Sequence, residues 1–249
     1  MGIKLTITKK DLKNILDVKT IVPTKDGVTD SVYIINNKYI LKIFHNSTKQ
    51  NLINEIELLK IIKKLKVVKI VKKYHILTIK NQPAILYKKC KGKSLKKVSK
   101  KDIIQIGRFL KLFHKITKNK QSTNKNIFKK KYLKKLIKKS NNKFLEKQYK
   151  KIDIKLKNDG IIHGDLFIDN AIFKQHNLSC VIDFSQACNG DFIFDLAVVA
   201  YSWCKTKQDI KLLIKSYNLA ISFKKFTKYI FYAKVYYTTT RYLRDLNYL

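Results

Sequence analysis

Two short runs near the start of the chain are rich in apolar β-branched and aromatic residues and are separated by a polar pair. Val32–Asn36 and Lys38–Phe44 therefore predict a pair of strands, with Asn36-Asn37 as the tight turn between them. A loop over Lys25–Ser31, containing Gly27, leads into the pair. From Gln50 to Lys66 the pattern changes: apolar residues at 52, 56, 59 and 62 form a helical stripe. Val67–Val71, Ile76–Lys80 and Pro83–Lys88 read as further strands, the last two turning at Asn81-Gln82. A lysine-rich linker around Gly92, reaching Lys101, divides the chain into expected lobes of residues 1–91 and 92–249. Beyond it, Asp102–Ile116 predicts a helix with positions 103, 106, 110 and 113 on one face. Lys118–Asn126 is polar and reads as an exposed loop, and Ile127–Lys151 as a helical run with a solvated lysine face. After Gly160, short apolar runs at Ile161–His163, Ala171–Phe173 and Leu178–Ile182 are broken by polar turns. Asp191–Cys204 and two segments after Thr206 return to helical spacing. The order predicts an α+β protein with a small antiparallel-sheet lobe carrying one helix and a second lobe that is mainly helical.

Composition sharpens this picture. The chain has 249 residues, of which 45% are hydrophobic and 11% aromatic, enough for a core and too many for a disordered basic tail. The longest apolar run, Phe192–Cys204, carries Asp195 and is too short to span a membrane. No basic stretch followed by an apolar run opens the chain, so a cytoplasmic protein is expected. Cys90, Cys180, Cys188 and Cys204 form no C-x-x-C pair, and reduced thiols are expected.

The net charge of +38 invites a nucleic-acid partner, and a basic nucleic-acid-binding module is the rival reading from another class. The detail argues against it. Arg108, Arg241 and Arg244 are the only arginines, whereas base and phosphate recognition favours Arg. The lysines are spread among Ile and Asn along most of the chain, as expected of solvated faces. One window departs from the spread. Asn158–Cys204 holds a single lysine, Lys174, and six aspartates: Asp159, Asp165, Asp169, Asp183, Asp191 and Asp195. A core excludes lysine but does not gather carboxylates; a site for hard divalent cations accounts for both.

Within that window, Asp165-x-x-x-x-Asn170 is followed by Asp183-Phe184. Phosphoryl transfer needs a carboxylate beside the attacking hydroxyl and oxygen ligands for the Mg²⁺ that bridges the nucleotide phosphates. Asp165 fits the base, and Asn170 and Asp183 fit the metal. Lys42 lies mid-strand among apolar residues and needs an anionic partner. Glu55 and Glu57 are two of only three glutamates in the chain, and the spacing from the strand favours Glu55. Arg241 and Arg244 share a helix face in a chain that otherwise writes lysine. Two uses compete for Arg241: a bidentate contact to a substrate carboxylate, or a salt bridge to Asp245 or another Asp.

The run His163-Gly164-Asp165-Leu166-Phe167-x-Asp169-Asn170 with Ile182-Asp183-Phe184 resembles the aminoglycoside phosphotransferase and choline kinase superfamily, relatives of the protein kinases. Ala187-Cys188, Asp195-Leu196-Ala197 and Trp203-Cys204 extend the resemblance toward the kinase-like homoserine kinases. The resemblance implies a two-lobed kinase-like fold with ATP in the cleft. It implies Asp165 as catalytic base, Asn170 and Asp183 as Mg²⁺ ligands, Lys42 on the α/β-phosphates and Glu55 orienting Lys42. The loop from Gly27 to Ser31 would cover the phosphates, and Leu86–Gly92 would meet the adenine. The implied acceptor is a small-molecule hydroxyl, with L-homoserine ahead of choline, ethanolamine or an aminoglycoside. A pseudokinase that keeps the fold without turnover is the remaining alternative.

Overall fold

The structure is a computed structural model that describes residues 5–24, 30–71 and 76–246. Its N-terminal part is an antiparallel sheet built from β1 (Ile21–Pro23), β2 (Ser31–Ile35), β3 (Tyr39–Ile43), β4 (Lys69–Ile70), β5 (Leu77–Ile79) and β6 (Gln82–Lys88). The spatial order is β1-β2-β3-β6-β4, with β5 also paired to β6. The β2–β3 hairpin closes as expected: Ser31 pairs with Ile43 and Ile35 with Tyr39. Asn36 and Asn37 take positive φ of 53° and 52°, the left-handed pair that suits strand twist.

Side chains alternate across this sheet. Tyr33, Ile35, Leu41, Ile43, Ala84 and Leu86 bury one face against Ile7 and Leu12 of the N-terminal segment. Lys42 pairs with Ile85 in the ladder and so emerges on the opposite face. On that face Ile85 and Tyr87 join Leu52, Ile56 and Leu59 of α1 (Lys49–Ile61) in a core that continues into the helical lobe. Thr48 caps α1 by accepting the Asn51 N–H at 3.2 Å. The helix is shorter than the stripe suggested: it ends at Ile61, and Val67 then bridges Val181 in parallel.

The expected linker contains a strand. β7 (Lys93–Ser94) pairs with β9 (Ala171–Lys174), which pairs in turn with β10 (Asn177–Val181). Cys90 and Cys180 are joined as a disulfide between this connection and β10, where reduced thiols were expected. Cys188 and Cys204 are free. α2 (Lys100–Thr117) opens with a Ser99/Asp102 capping box. The helical run after Ile127 is two helices, α3 (Lys130–Ser140) and α4 (Lys143–Lys150), because Asn141 adopts a left-handed φ of 46° and ends the first. β8 (Gly160–Ile162) pairs with β11 (Cys188–Gly190). The chain then runs through α5 (Phe192–Trp203), α6 (Lys207–Tyr217) and α7 (Phe223–Leu246). The molecule is thus a two-lobed α+β fold, with the antiparallel sheet at one end and the helices at the other. No helix among the described residues is long and apolar enough to cross a membrane.

Gly92 shows how tightly the two parts are joined. Its φ is +115°, and a Cβ there would sit 2.0 Å from the Phe173 carbonyl oxygen. Backbone cannot yield as a side chain would, so Gly92→Ala must push β7 off β9. We expect it to cost roughly 2–3 kcal/mol, read as a lower Tm in a thermal melt.

Candidate active site

β8 ends at Ile162, and the polar turn that follows carries His163, Gly164 and Asp165. This turn would expose unpaired backbone donors in a dry interior. Asp195, one turn into α5 and 0% exposed, answers them. Its Oδ2 accepts the His163 N–H and its Oδ1 the Gly164 N–H, both at 2.8 Å. His114 Nε2 lies 2.9 Å from the same carboxylate. The carbonyls of the turn are held as well. Trp203 Nε1 donates to Leu166 O at 3.0 Å, and the Tyr237 hydroxyl donates to Gly164 O. Burial works against the charge on Asp195, but these donors hold its carboxyl below the ordinary value. Asp195 therefore ties down the loop.

His163 braces the next link. Its Nδ1 accepts the Asp165 N–H at 3.3 Å, its Nε2 lies 3.2 Å from the Ile182 carbonyl, and its ring tilts against Phe184 at 4.6 Å. Burial lowers its pKa and favours the neutral ring that these two contacts need.

Three of the sequence-predicted residues converge. Asn170 donates its side-chain N–H to Asp165 O at 2.7 Å and approaches Asp165 Oδ2 at 3.3 Å. Asp183 follows β10 at a left-handed φ of 60°, a conformation that a non-glycine residue holds only when its surroundings demand it. Its Oδ1 accepts the Ser185 hydroxyl at 2.7 Å and the Lys42 ammonium at 3.0 Å. Lys42 thus reaches across from the sheet lobe to the helical lobe.

The electrostatics separate the two aspartates. Burial, together with the charges of Asp183 and Asp169, pushes Asp165 up to about 7. Asp183 is also disfavoured by burial, yet Lys42 and Ser185 hold it down at about 2. Burial alone would lower Lys42, but the carboxylates of Asp183, Glu55 and Asp30 keep it raised and charged. One carboxyl is poised to exchange a proton near neutrality, while the other stays an anion.

Other expectations land differently. The Lys42–Glu55 ion pair does not form. The carboxylates within 4 Å of Lys42 Nζ among the described residues are Asp183 and Asp30, the latter at 3.3 Å. Glu55 is buried and instead accepts the Tyr87 hydroxyl at 2.7 Å. Burial pushes it up to about 7, so it makes a poor permanent counter-charge. Gly27 lies outside the described residues. Ser31 is fully buried, accepting the Leu5 N–H at 3.1 Å and meeting His45 Nε2 at 2.9 Å. Arg241 makes no ion pair in the described residues; Asp245 sits with Arg244. The Arg241 guanidinium lies over the rings of Phe167, at 5.1 Å, and Tyr201, at 5.9 Å. Phe167 is two residues beyond Asp165, so Arg241 stands beside the catalytic turn.

The donor set suits Mg²⁺. Asn170 engages through its nitrogen and Asp183 through Oδ1, and the site offers hard oxygen ligands only. Among the described residues no group of three or more His, Cys, Asp or Glu could hold a metal by itself.

The cleft thus brings together a carboxyl poised near neutrality, an amide, an anionic carboxylate and a lysine from the opposite lobe. The chain belongs to the phosphotransferase enzyme family APH, whose model matches residues 20–215. The homoserine kinase of Bartonella tribocorum is 46% identical over 66 residues, 26% of this chain and 21% of that protein. That of Azorhizobium caulinodans is 53% identical over 45 residues, 18% of this chain and 14% of that protein. The matches therefore span about a fifth or less of these relatives' length. Among solved structures, APH(2")-IIia in complex with GDP and kanamycin superposes with a TM-score of 0.73 at 15% identity, covering 92% of this chain and 86% of that one. Choline kinase LicA from Streptococcus pneumoniae does so at 0.72 and 18% identity, covering 96% and 90%.

Two outcomes follow from this geometry. Asp195→Ala strands two buried backbone N–H groups and should cost about 3–5 kcal/mol, seen as a lower Tm. If Asp165 acts as a base it must be ionised, and its pKa of about 7 means the active form is lost below that pH. The kcat/KM for the nucleotide, which reports the free enzyme, should accordingly fall on the acid side with an apparent pKa near 7 rather than near 4.

Proposed function

We propose that the protein is an ATP- and Mg²⁺-dependent small-molecule kinase that transfers the γ-phosphoryl group to a hydroxyl. The observation that carries this reading is Asp165, clasped by Asn170, beside the Lys42–Asp183 pair. Asp165 accepts the proton of the acceptor hydroxyl as its oxygen attacks the γ-phosphorus and the bond to the β-phosphate oxygen breaks. Asn170 keeps the Asp165 carboxylate oriented, and Lys42 meets the α/β-phosphates. Mg²⁺ held by Asn170 and Asp183 would supply charge neutralisation on the phosphates. Most of the acceleration comes from positioning and from preset charge. In this reading residues 1–91 form the nucleotide lobe and residues 92–249 the catalytic and acceptor lobe of a cytoplasmic enzyme, with Leu86–Gly92 toward the adenine. The intact Asp165, Asn170 and Asp183 set argues against a pseudokinase.

L-Homoserine is the acceptor we favour. The homoserine kinase relatives point that way, and so does Arg241. A guanidinium with no carboxylate partner among the described residues, beside the turn that carries Asp165, suits the carboxylate of an amino acid. Choline or ethanolamine would need an open aromatic face for its cation, and Arg241 already lies on Phe167 and Tyr201.

The test is phosphoryl transfer from ATP to L-homoserine, with choline, ethanolamine and kanamycin in parallel. We expect turnover on homoserine and a loss of roughly 10³-fold in kcat in Asp165→Asn. Arg241→Ala should raise the homoserine KM about tenfold with little change in the ATP KM. Turnover on a different acceptor, or an unchanged homoserine KM in Arg241→Ala, would contradict the assignment of the acceptor.

A further inference from the structure

We infer that Asp30 is a standing carboxylate partner that positions Lys42 for the nucleotide phosphates. This rests on the reading of the cleft as a nucleotide site.

Asp30 immediately precedes β2, and both of its oxygens are engaged. Oδ2 lies 3.3 Å from Lys42 Nζ, and Oδ1 accepts the His45 N–H at 3.3 Å. The His45 contact ties Asp30 to the far end of β3, the strand that carries Lys42. The carboxylate therefore moves with the lysine rather than with the opposite lobe. Asp183 is placed differently: its side chain is 33% exposed against 10% for Asp30, and it belongs to the helical lobe. Asp183 is also the carboxylate that a cation would recruit. Once it is, Asp30 is the remaining carboxylate within 4 Å of the ammonium among the described residues. Glu55 stands outside ion-pair distance of the ammonium and accepts the Tyr87 hydroxyl at 2.7 Å.

The charge balance gives Asp30 a consequence. Lys42 is 14% exposed, and a buried ammonium needs a partner at all times. With both aspartates present it is shared between two anions and is free to pass from Asp183 to phosphate without losing all compensation. With Asp30 neutralised, Asp183 is the one carboxylate left within 4 Å among the described residues, and Lys42 is drawn to the residue that should be serving the metal. Asp30 is thus a positioning residue that acts through Lys42 and touches no substrate.

Asp30→Asn keeps an oxygen for the His45 N–H and removes only the charge. The experiment is calorimetric titration with ATP and Mg²⁺, alongside steady-state kinetics. The nucleotide Kd and KM should rise about tenfold while the acceptor KM stays within about twofold. In a Lys42→Met background the same substitution should add no further loss. Unchanged or tighter nucleotide binding in Asp30→Asn, or an equal loss without Lys42, would overturn the inference. Should Asp30→Asn melt below the assay temperature, Asp30→Glu replaces it. That variant retains the charge and should bind nucleotide within about threefold of the wild type, and a tenfold loss in a folded protein would overturn the inference. A wild-type protein that binds no nucleotide overturns the kinase reading itself, an outcome separate from any difference between variants.

Discussion

Lys42 and Asp183 lie 141 positions apart in the chain and meet at 3.0 Å. The Lys42 side chain is 14% exposed and that of Asp183 33%, so desolvation weighs chiefly on the ammonium, which needs a well-placed opposite charge to offset it. Their meeting therefore constrains both lobes. The sheet must alternate so that Leu41 and Ile43 face the N-terminal segment while Lys42 faces the cleft. The turn after β10 must hold Asp183 at a left-handed φ, with Ser185 as a second donor. The apolar core that guarantees this spacing is continuous, running from Phe44, Leu52 and Ile85 of the sheet lobe to Val181 and Phe184 beside Asp183.

The carboxylates of the lysine-poor window divide their labour by what surrounds each. Asp191 caps α5 through the N–H groups of Ile193 and Phe194, and Asp159 accepts the Phe192 N–H. Asp195 satisfies the turn that carries Asp165. Asp165 and Asp183 face the cleft residues Asn170 and Lys42 instead, and their environments push them in opposite directions. The excess of aspartate is thus only partly a cation-binding signal. About half of it holds backbone that would otherwise be buried without a partner.

What could be read along the chain is what local rules govern. The Asn36-Asn37 hairpin and the α2 stripe are short-range patterns that appear in the structure where expected, and Asn170 meets Asp165 as their short spacing allows. What was missed depends on contacts between distant segments. β7 has no strand pattern of its own and exists because β9 offers it a partner. The Cys90–Cys180 pairing spans 90 residues and carries no spacing signal. Glu55 was favoured by its distance from β3, but Tyr87, on a neighbouring strand, claims it. Asp30 sits inside the loop expected to cover the phosphates, and its charge there was the available clue. The break at Asn141 was legible in principle, since Asn is the residue that most readily ends a helix after Gly.

The central claim is that Lys42 and Asp183 together make a cation-dependent nucleotide site. The most direct measurement is calorimetric titration of ATP into the wild type and into Asp183→Asn, each with and without Mg²⁺. The account predicts that Mg²⁺ tightens nucleotide binding to the wild type by tenfold or more, and that this dependence disappears in Asp183→Asn. Binding to the wild type that is indifferent to Mg²⁺, or a Mg²⁺ dependence that survives the substitution, would contradict it.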